Sequence, residues 1–291
     1  MNRRAQSKGL PFIKMQGSGN DFVILDGRKK PLDLTSDQAR AIADRHLGVG
    51  GDQVITLQPS KRADVFMRIQ NADGSESGAC GNVTRCVAKL LMAETGKRTA
   101  TIETLFDVLK IKAAKGGQFA VDMGVPRLEW SQIPLSRAMD TAKLDLEATF
   151  PDGRRFNGPV GVNIGNPHAV FFVDGVDSLA IAQAGPTLEH DPLFPERANI
   201  SFAEVTRPNA IRLRVWERGT GETLACGSAA CATVVAAKRR GLIKGDADIV
   251  LNGGTLHLEW RDDGHVIMTG PAEESFRGTL DLKALTRRHA A

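Results

Sequence analysis

The chain contains no tyrosine, three tryptophans and only 5% aromatic residues, so it has few of the rings on which nucleic-acid bases stack. Charge of one sign is also missing. Its 38 basic and 34 acidic residues are spread along the chain for a formal +4, which is no electrostatic footprint for nucleic acid. Four cysteines are too few for a disulfide scaffold, and the expected compartment is the reducing cytoplasm. No stretch approaches the ~18 uninterrupted apolar residues of a membrane span. The polar, basic opening from Met1 to Leu10 leads into no apolar h-region, so no secretory signal is expected. Gly17-Ser18-Gly19 is too short for a phosphate or dinucleotide fingerprint, and no acidic follower completes it. What is present is ordinary for a globular chain: 42% hydrophobic and 25% charged residues. At 291 residues the expectation is two domains of about 145 residues each.

The chain repeats itself once. Cys80 stands in Glu76-Ser77-Gly78-Ala79-Cys80-Gly81-Asn82 and Cys226 in Glu222-Thr223-Leu224-Ala225-Cys226-Gly227-Ser228, an offset of 226 − 80 = 146. At the same offset, Gly19-Asn20 and Gly165-Asn166 each lead into an apolar run ending in aspartate. One shared offset of half the chain is the signature of a duplicated unit, not of a solenoid with its shorter periods. Val65, Met67 and Ile69 alternate with Phe66, Arg68 and Gln70 before the first cysteine segment, as do Ile211, Leu213 and Val215 with Arg212, Arg214 and Trp216 before the second. That period of two predicts strands. Val83, Cys86, Val87, Leu90 and Leu91 then fall on one helical face that stops near Gly96. Ala230, Cys231, Val234, Val235 and Ala237 repeat the pattern ahead of Gly241. Each half reads strand, glycine-rich turn, cysteine, helix. A further helix is expected from about Ser36 to His46, where Thr35 and Gln38 have capping-box spacing, with Gly48-Val49-Gly50-Gly51 ending it. Lys238-Arg239-Arg240 suits a helix C-terminus.

A cysteine at a helix start sits among unpaired N–H groups and the positive end of the dipole, which favours the thiolate; burial opposes it. The small residues after each cysteine let a ligand carboxylate approach the same N–H groups. A lone cysteine nucleophile would need a histidine partner, for which His46 and His168 are available, but that scheme leaves the duplicate cysteine without a role. Two matched cysteines suit inversion of a carbon centre, with one thiolate removing a proton on one face and one thiol returning a proton on the other. Cys80 and Cys226 are the candidates. Cys86 and Cys231 lie further along their helices and are expected to pack in the core. Spacings of six and five residues do not match the short knuckles of a four-cysteine zinc site, so no metal is expected.

These segments belong to a longer ordered set. Lys14-Met15-Gln16-Gly17-Ser18-Gly19-Asn20-Asp21-Phe22 is followed by Asp44 to Gln53 and by Asn71-Ala72-Asp73-Gly74-Ser75-Glu76. Gly165-Asn166-Pro167-His168, Phe194 to Ile200, Glu217-Arg218-Gly219-Thr220-Gly221-Glu222-Thr223 and Met268-Thr269-Gly270-Pro271 complete it. In this order the sequence resembles the diaminopimelate epimerase family over nearly its whole length. The resemblance implies cofactor-independent interconversion of L,L- and meso-2,6-diaminopimelate, a step toward lysine and peptidoglycan. It implies an α/β (α+β) fold of two pseudo-symmetric domains, each a mixed curved sheet around a central helix, with the active site in the cleft. A hinge after Met123-Gly124 and a last strand, around Ser275 to Leu282, that returns to the first domain would make the domains 1–124 plus 272–291 and 125–271. By position Cys80 and Cys226 look like the acid and base, with His168 and Glu217 near them to tune their ionisation. Asn20, Gln53, Asn71, Asn166, Asn199, Glu217 and Arg218 look like substrate ligands, and Gly81, Asn82, Gly227 and Ser228 like donors to the reacting carboxylate. A homodimer is a further expectation from the resemblance.

Several positions depart from the family pattern. Val83, Thr84 and Ala229 replace smaller residues, Gly51 replaces a larger one, and Asp107 stands where a glycine is expected, which leaves its local turn open. Two other readings lie close. A proline or hydroxyproline racemase or epimerase has a substrate with no distal amino-carboxylate, which would leave Arg218 and the many asparagines without work. A non-catalytic amino-acid-binding protein on the same fold would tolerate loss of either cysteine, and both are present.

Overall fold

The computed structural model describes residues 9–78 and 80–289. In chain order it forms β1 (Leu10–Gly17), β2 (Asn20–Asp26), α1 (Ser36–Ala43), β3 (Gln53–Gln58), β4 (Val65–Asn71), β5 (Glu76–Ser77), α2 (Gly81–Thr95), β6 (Thr99–Glu103), β7 (Val108–Ala113) and β8 (Phe119–Asp122). Then follow β9 (Glu147–Thr149), β10 (Arg155–Asn157), β11 (Val160–Asn163), β12 (Pro167–Phe172), α3 (Ile181–Glu189), β13 (Asn199–Arg207), β14 (Ala210–Glu217), β15 (Gly221–Glu222) and α4 (Gly227–Arg239). The chain finishes with β16 (Ala247–Leu251), β17 (Gly254–Trp260), β18 (Val266–Gly270), β19 (Glu273–Leu280) and α5 (Leu282–His289). Strands dominate and helices are few. Residues 9–119 with 271–289 make one compact unit and Ala120–Gly270 the other.

In the first unit β1 pairs antiparallel with β2, β2 parallel with β3, β3 antiparallel with β4, β4 parallel with β6 and β6 antiparallel with β7. In the second unit the sequence from β11 through β12, β13, β14 and β16 to β17 repeats the same alternation. The register repeats too. Phe22 pairs with Gln53 as His168 pairs with Asn199, and Gln70 with Glu76 as Trp216 with Glu222. β19 adds antiparallel to β1 and stops at Leu280, so Leu282, expected in the strand, opens a helix instead.

The central helix of each unit is more enclosed than its pattern suggests. One apolar face predicts a helix with one wet side, yet α2 is buried continuously from Gly81 to Ala88 and α4 from Ala229 to Ala237. α4 packs on β11, β12, β13, β16, β17 and β18, so the sheet wraps it. A helix enclosed on all sides has to be apolar or small all round, which the alanine-rich α4 is. Burying Val234 and Val235 stabilises the unit by roughly 1.5–3 kcal/mol each. Two of the polar exceptions are satisfied locally: Thr84 and Thr233 return their hydroxyls to the carbonyls of Cys80 (2.8 Å) and Ala229 (2.7 Å).

α1 is shorter than its pattern. The Thr35–Gln38 capping box is present, but the helix ends at Ala43, not near His46. Asp44 leaves the helical region, with ψ at 124°, and its carboxylate accepts from the N–H groups of His46 (2.7 Å) and Leu47 (2.6 Å). The glycine-rich segment then folds back, and Val49, Gly50 and Gly51 donate to the last helical carbonyls, those of Ile42 and Ala43. A side chain at Gly48 would collide with the carbonyl of Ala41, at 2.2 Å.

Candidate active site

The β1–β2 hairpin turns over two residues, Ser18 and Gly19, with φ of 57° and 84°. Positive φ at both central positions is the backbone of a type I′ connection, so Gly17-Ser18-Gly19 is a hairpin turn. It carries Asn20 to the start of α2. There Asn20 Oδ1 accepts from the Cys80 thiol at 3.7 Å and from Asn82 Nδ2 at 3.3 Å, while Asn20 Nδ2 donates to Asp52 at 2.6 Å. Cys80 is the N-cap of α2, with extended backbone, and is half-buried; Gly81 and Asn82 form the buried first turn behind it.

Asp52 belongs to a charge cluster. Arg45 bridges Asp52 (2.8 Å) and Asp21 (2.7 Å), and the buried Lys14 binds Asp21 at 2.6 Å and donates to the Gly50 carbonyl. Burial would raise the Asp21 carboxyl, but the bonds and charges of Arg45 and Lys14 outweigh it and hold the group well below the usual carboxylate range. Beside the cluster, Gln53 and Asn71 face each other across β3 and β4, with Gln53 Nε2 donating to Asn71 Oδ1 at 3.0 Å. Asn71 Nδ2 donates to Ser75. Gln53 Oε1 is buried without a hydrogen-bond partner.

In the second unit His168 is fully buried on β12, its Nε2 lies 2.9 Å from Asn166 Oδ1, and its Nδ1 is buried without a hydrogen-bond partner. Burial, then the charge of Arg218, pushes this imidazole down to about 3, so it is neutral near pH 7. Asn199 opens β13; it donates to the Pro167 carbonyl and accepts from the backbone N–H of Arg218, both at 3.0 Å. The Arg218 guanidinium donates to the Glu196 carbonyl at 3.0 Å. Glu217, the last residue of β14, accepts from the Thr223 hydroxyl at 2.5 Å. Cys226 is the N-cap of α4, and its sulfur lies 3.4 Å from the hydroxyl of Ser228, with Gly227 buried between them. Burial raises the Cys226 thiol well above its ordinary value, and the neighbouring Glu217 carboxylate adds to the rise.

The expected residues thus gather as Asn20, Cys80 and Asn82 beside the pair Gln53 and Asn71 in the first unit. The second unit holds the pair Asn166 and His168, the pair Asn199 and Arg218, and the group Glu217, Cys226 and Ser228. Position by position the two sets match at the offset of 146: Asn20 with Asn166, Gln53 with Asn199, Asn71 with Glu217, Cys80 with Cys226, Asn82 with Ser228.

Among known proteins, the family model for diaminopimelate epimerase matches residues 12–129 and 160–274. The diaminopimelate epimerase of Acidiphilium cryptum is 55% identical over 275 residues, covering 94% of this chain and 98% of its own. That of Rhodospirillum centenum is 53% identical over 275 residues, covering 92% and 91%. The chain belongs to the diaminopimelate epimerase family. Solved structures extend the fold further than the sequence: a hydroxyproline epimerase from Agrobacterium vitis superposes with a TM-score of 0.65 at 15% identity, over 94% of this chain and 93% of that one. A Bacillus anthracis phenazine biosynthesis protein of the PhzF family gives 0.64 at 16%, over 94% and 99%.

The departures from the family pattern have physical accounts. A side chain at Gly51 would stand 3.3 Å from Lys14 Nζ, so the glycine leaves room for the buried ammonium. Asp107 keeps a negative φ and closes its turn through the Thr104 hydroxyl and its own carboxylate, which accepts from the Val108 N–H. Val83, Thr84 and Ala229 are fully buried inside their helices.

Other contributors give no sequence signal of their role. Asp52 and its cluster lie inside a family motif and reach Cys80 through Asn20. Glu189, at the end of α3, is 3% exposed; it accepts from the Trp216 indole at 2.8 Å and from the Gly219 N–H at 2.9 Å, holding the turn that follows Glu217 and Arg218. Among the described residues no group of three or more His, Cys, Asp or Glu side chains is arranged to hold a metal, and no helix is long and apolar enough to cross a membrane.

Proposed function

We propose that the chain interconverts L,L- and meso-2,6-diaminopimelate by passing the α-proton between two cysteines without a cofactor, supplying the meso isomer for lysine and peptidoglycan precursors. The observation that carries this reading is the equivalent placement of Cys80 and Cys226 as N-caps of the two enclosed helices. Inversion needs one group at each face of the α-carbon, and each unit supplies one thiol. The thiolate takes the α-proton, forming S–H as the C–H bond breaks. The electron pair moves into the carboxylate, and the other thiol returns its proton to the opposite face, leaving the charge on its sulfur. Run backwards, the two cysteines exchange roles.

The reacting carboxylate gains charge in this step, so donors fixed at the helix starts stabilise the transition state more than the substrate. Gly81 and Asn82, with Gly227 and Ser228, occupy those starts. The substrate carries an ammonium and a carboxylate at each end, and Asn20, Gln53, Asn71, Asn166, Asn199, Glu217 and Arg218 offer the amides, carboxylate and guanidinium to read them. The unpartnered buried atoms Gln53 Oε1 and His168 Nδ1 support a polar ligand, because such atoms are costly when left unmatched.

The test is incubation of the reduced protein with L,L-diaminopimelate in D₂O, following meso product and α-deuterium together. Meso product carrying solvent deuterium is expected. Neither product nor exchange, from folded and reduced protein, would overturn the reading and direct attention to proline and hydroxyproline.

A further inference from the structure

Arg85 heads the largest fully buried side chains of the described protein, at 0% exposure. It lies on the second turn of α2, five residues beyond Cys80; the position 146 residues later is Cys231, a buried cysteine. The guanidinium ties together three segments of its unit. Nε donates to the Pro271 carbonyl at 3.0 Å, where the chain returns ahead of β19. Nη1 lies 3.5 Å from the Gly81 carbonyl in the first turn of α2, and Nη2 3.5 Å from the Ser18 hydroxyl in the hairpin turn. Gly17 shows how closely the turn is seated: a side chain there would stand 3.2 Å from Nη2 and 3.1 Å from the Asn82 carbonyl. The same turn presents Asn20, whose Oδ1 accepts from both Cys80 and Asn82.

We propose that Arg85 is a positioning residue for Cys80, seating the hairpin turn and its Asn20 on the start of α2 and making Cys80 the first of the two matched cysteines to ionise. The part concerning catalysis rests on the proposed epimerase reaction. A planar fork is suited to holding several oxygens at once, and a cation inside the helix adds to the positive end of its dipole. Its field reaches the adjacent Cys86, where burial pushes the thiol up to about 12 and Arg85 acts against the rise. The other charged groups of the segments that meet there are engaged, Asp21 and Asp52 by opposite charges and Glu273 and Lys89 by neutral partners. Asp52 touches Asn20 and is held by Arg45; Asp21 is held by Arg45 and Lys14; Glu273 on β19 accepts from Gln16; Lys89 on α2 donates to the Ala272 carbonyl. Around Cys226 the balance is opposite. The Glu217 carboxylate faces the thiol, the His168 imidazole is neutral, and the Arg218 guanidinium donates to the Glu196 carbonyl.

The experiment measures iodoacetamide alkylation of Cys80 and Cys226 against pH, resolved by peptide mass spectrometry, in the full reduced chain and its R85M and R85K variants. In the unmodified protein the midpoint for Cys80 is expected below that for Cys226. In R85M the Cys80 midpoint should rise by about one pH unit, roughly a tenfold slower alkylation below it, with Cys226 unmoved. R85K keeps the charge and should stay within about half a unit while kcat falls from the lost fork. A Cys226 midpoint at or below that of Cys80 in the unmodified protein overturns the assignment, and so does an unmoved Cys80 profile in folded R85M. Should R85M fail to fold, the comparison within the unmodified protein decides. Alkylation needs no turnover: absent epimerisation with the ordering intact defeats the proposed reaction alone, and reversed ordering with turnover intact defeats the role of Arg85 alone.

Discussion

Asn71 and Glu217 end equivalent strands 217 − 71 = 146 residues apart, an amide in one unit and a carboxylate in the other. The carboxylate interacts with the Cys226 thiol and raises it, whereas Asn71 is engaged with Gln53 and Ser75. A duplicated unit has therefore become electrostatically unequal at corresponding places.

Glu217→Gln removes a negative charge beside Cys226, which makes the thiolate easier to form. The pH midpoint for alkylation of Cys226 should fall by about one unit, equivalent to roughly tenfold faster labelling below it. Burial remains, so the midpoint stays above that of a free thiol. A profile that rises or does not move would contradict the assigned pairing of Glu217 with Cys226.

Cys80→Ala and Cys226→Ala should each lower inversion by at least about a thousandfold, since either change leaves one face of the α-carbon without a proton carrier. Each helix start keeps its backbone N–H groups, so circular dichroism and thermal unfolding should change little. The rate of meso product formation checks the first point, and wild-type-like turnover in either variant would exclude two-base transfer.

The buried neutral imidazole of His168 should make the protein acid-sensitive. Its folded value, about 3, lies below the ordinary histidine value of 6.5. Between the two the unfolded chain binds the extra proton, so stability is fully present above 6.5 and is lost as pH falls toward 3. The slope approaches about 1.4 kcal/mol per pH unit within that window. Denaturant unfolding at pH 7, 6 and 5 should show this loss in the wild type and a shallower one in His168→Gln. Equal slopes would show that the imidazole is not held neutral.

Asp21→Asn should destabilise the first unit by about 3 kcal/mol, because it leaves the buried Lys14 ammonium and its Arg45 neighbour short of a counter-charge. Urea midpoints at neutral pH give the measurement. Asp37→Asn, which breaks an exposed ion pair with Arg40, is the control and should change stability by less than about 1 kcal/mol.

What the sequence by itself determined is the part governed by short-range rules. Alternation in Val65–Asn71 and Ala210–Glu217 marked strands, and cysteines ahead of the helical spacing in α2 and α4 marked N-caps. The offset between Cys80 and Cys226 showed the duplication. Each follows from spacing along the chain, so it is legible before the chain folds. Only the tertiary structure decided how those elements are enclosed. α2 looked one-sided, but strands wrap it, and Arg85 inside it is satisfied by Ser18 and by Pro271, which lies 186 residues further along the chain. α1 looked longer, but the fold-back of Val49 to Gly51 takes over its last carbonyls. Glu189 carries no signal in local spacing, and α3 brings it under Trp216 and Gly219. The physical reason is common to all three. Whether a charged or polar group can be buried depends on partners supplied from distant segments, and local spacing carries no information about which segments arrive.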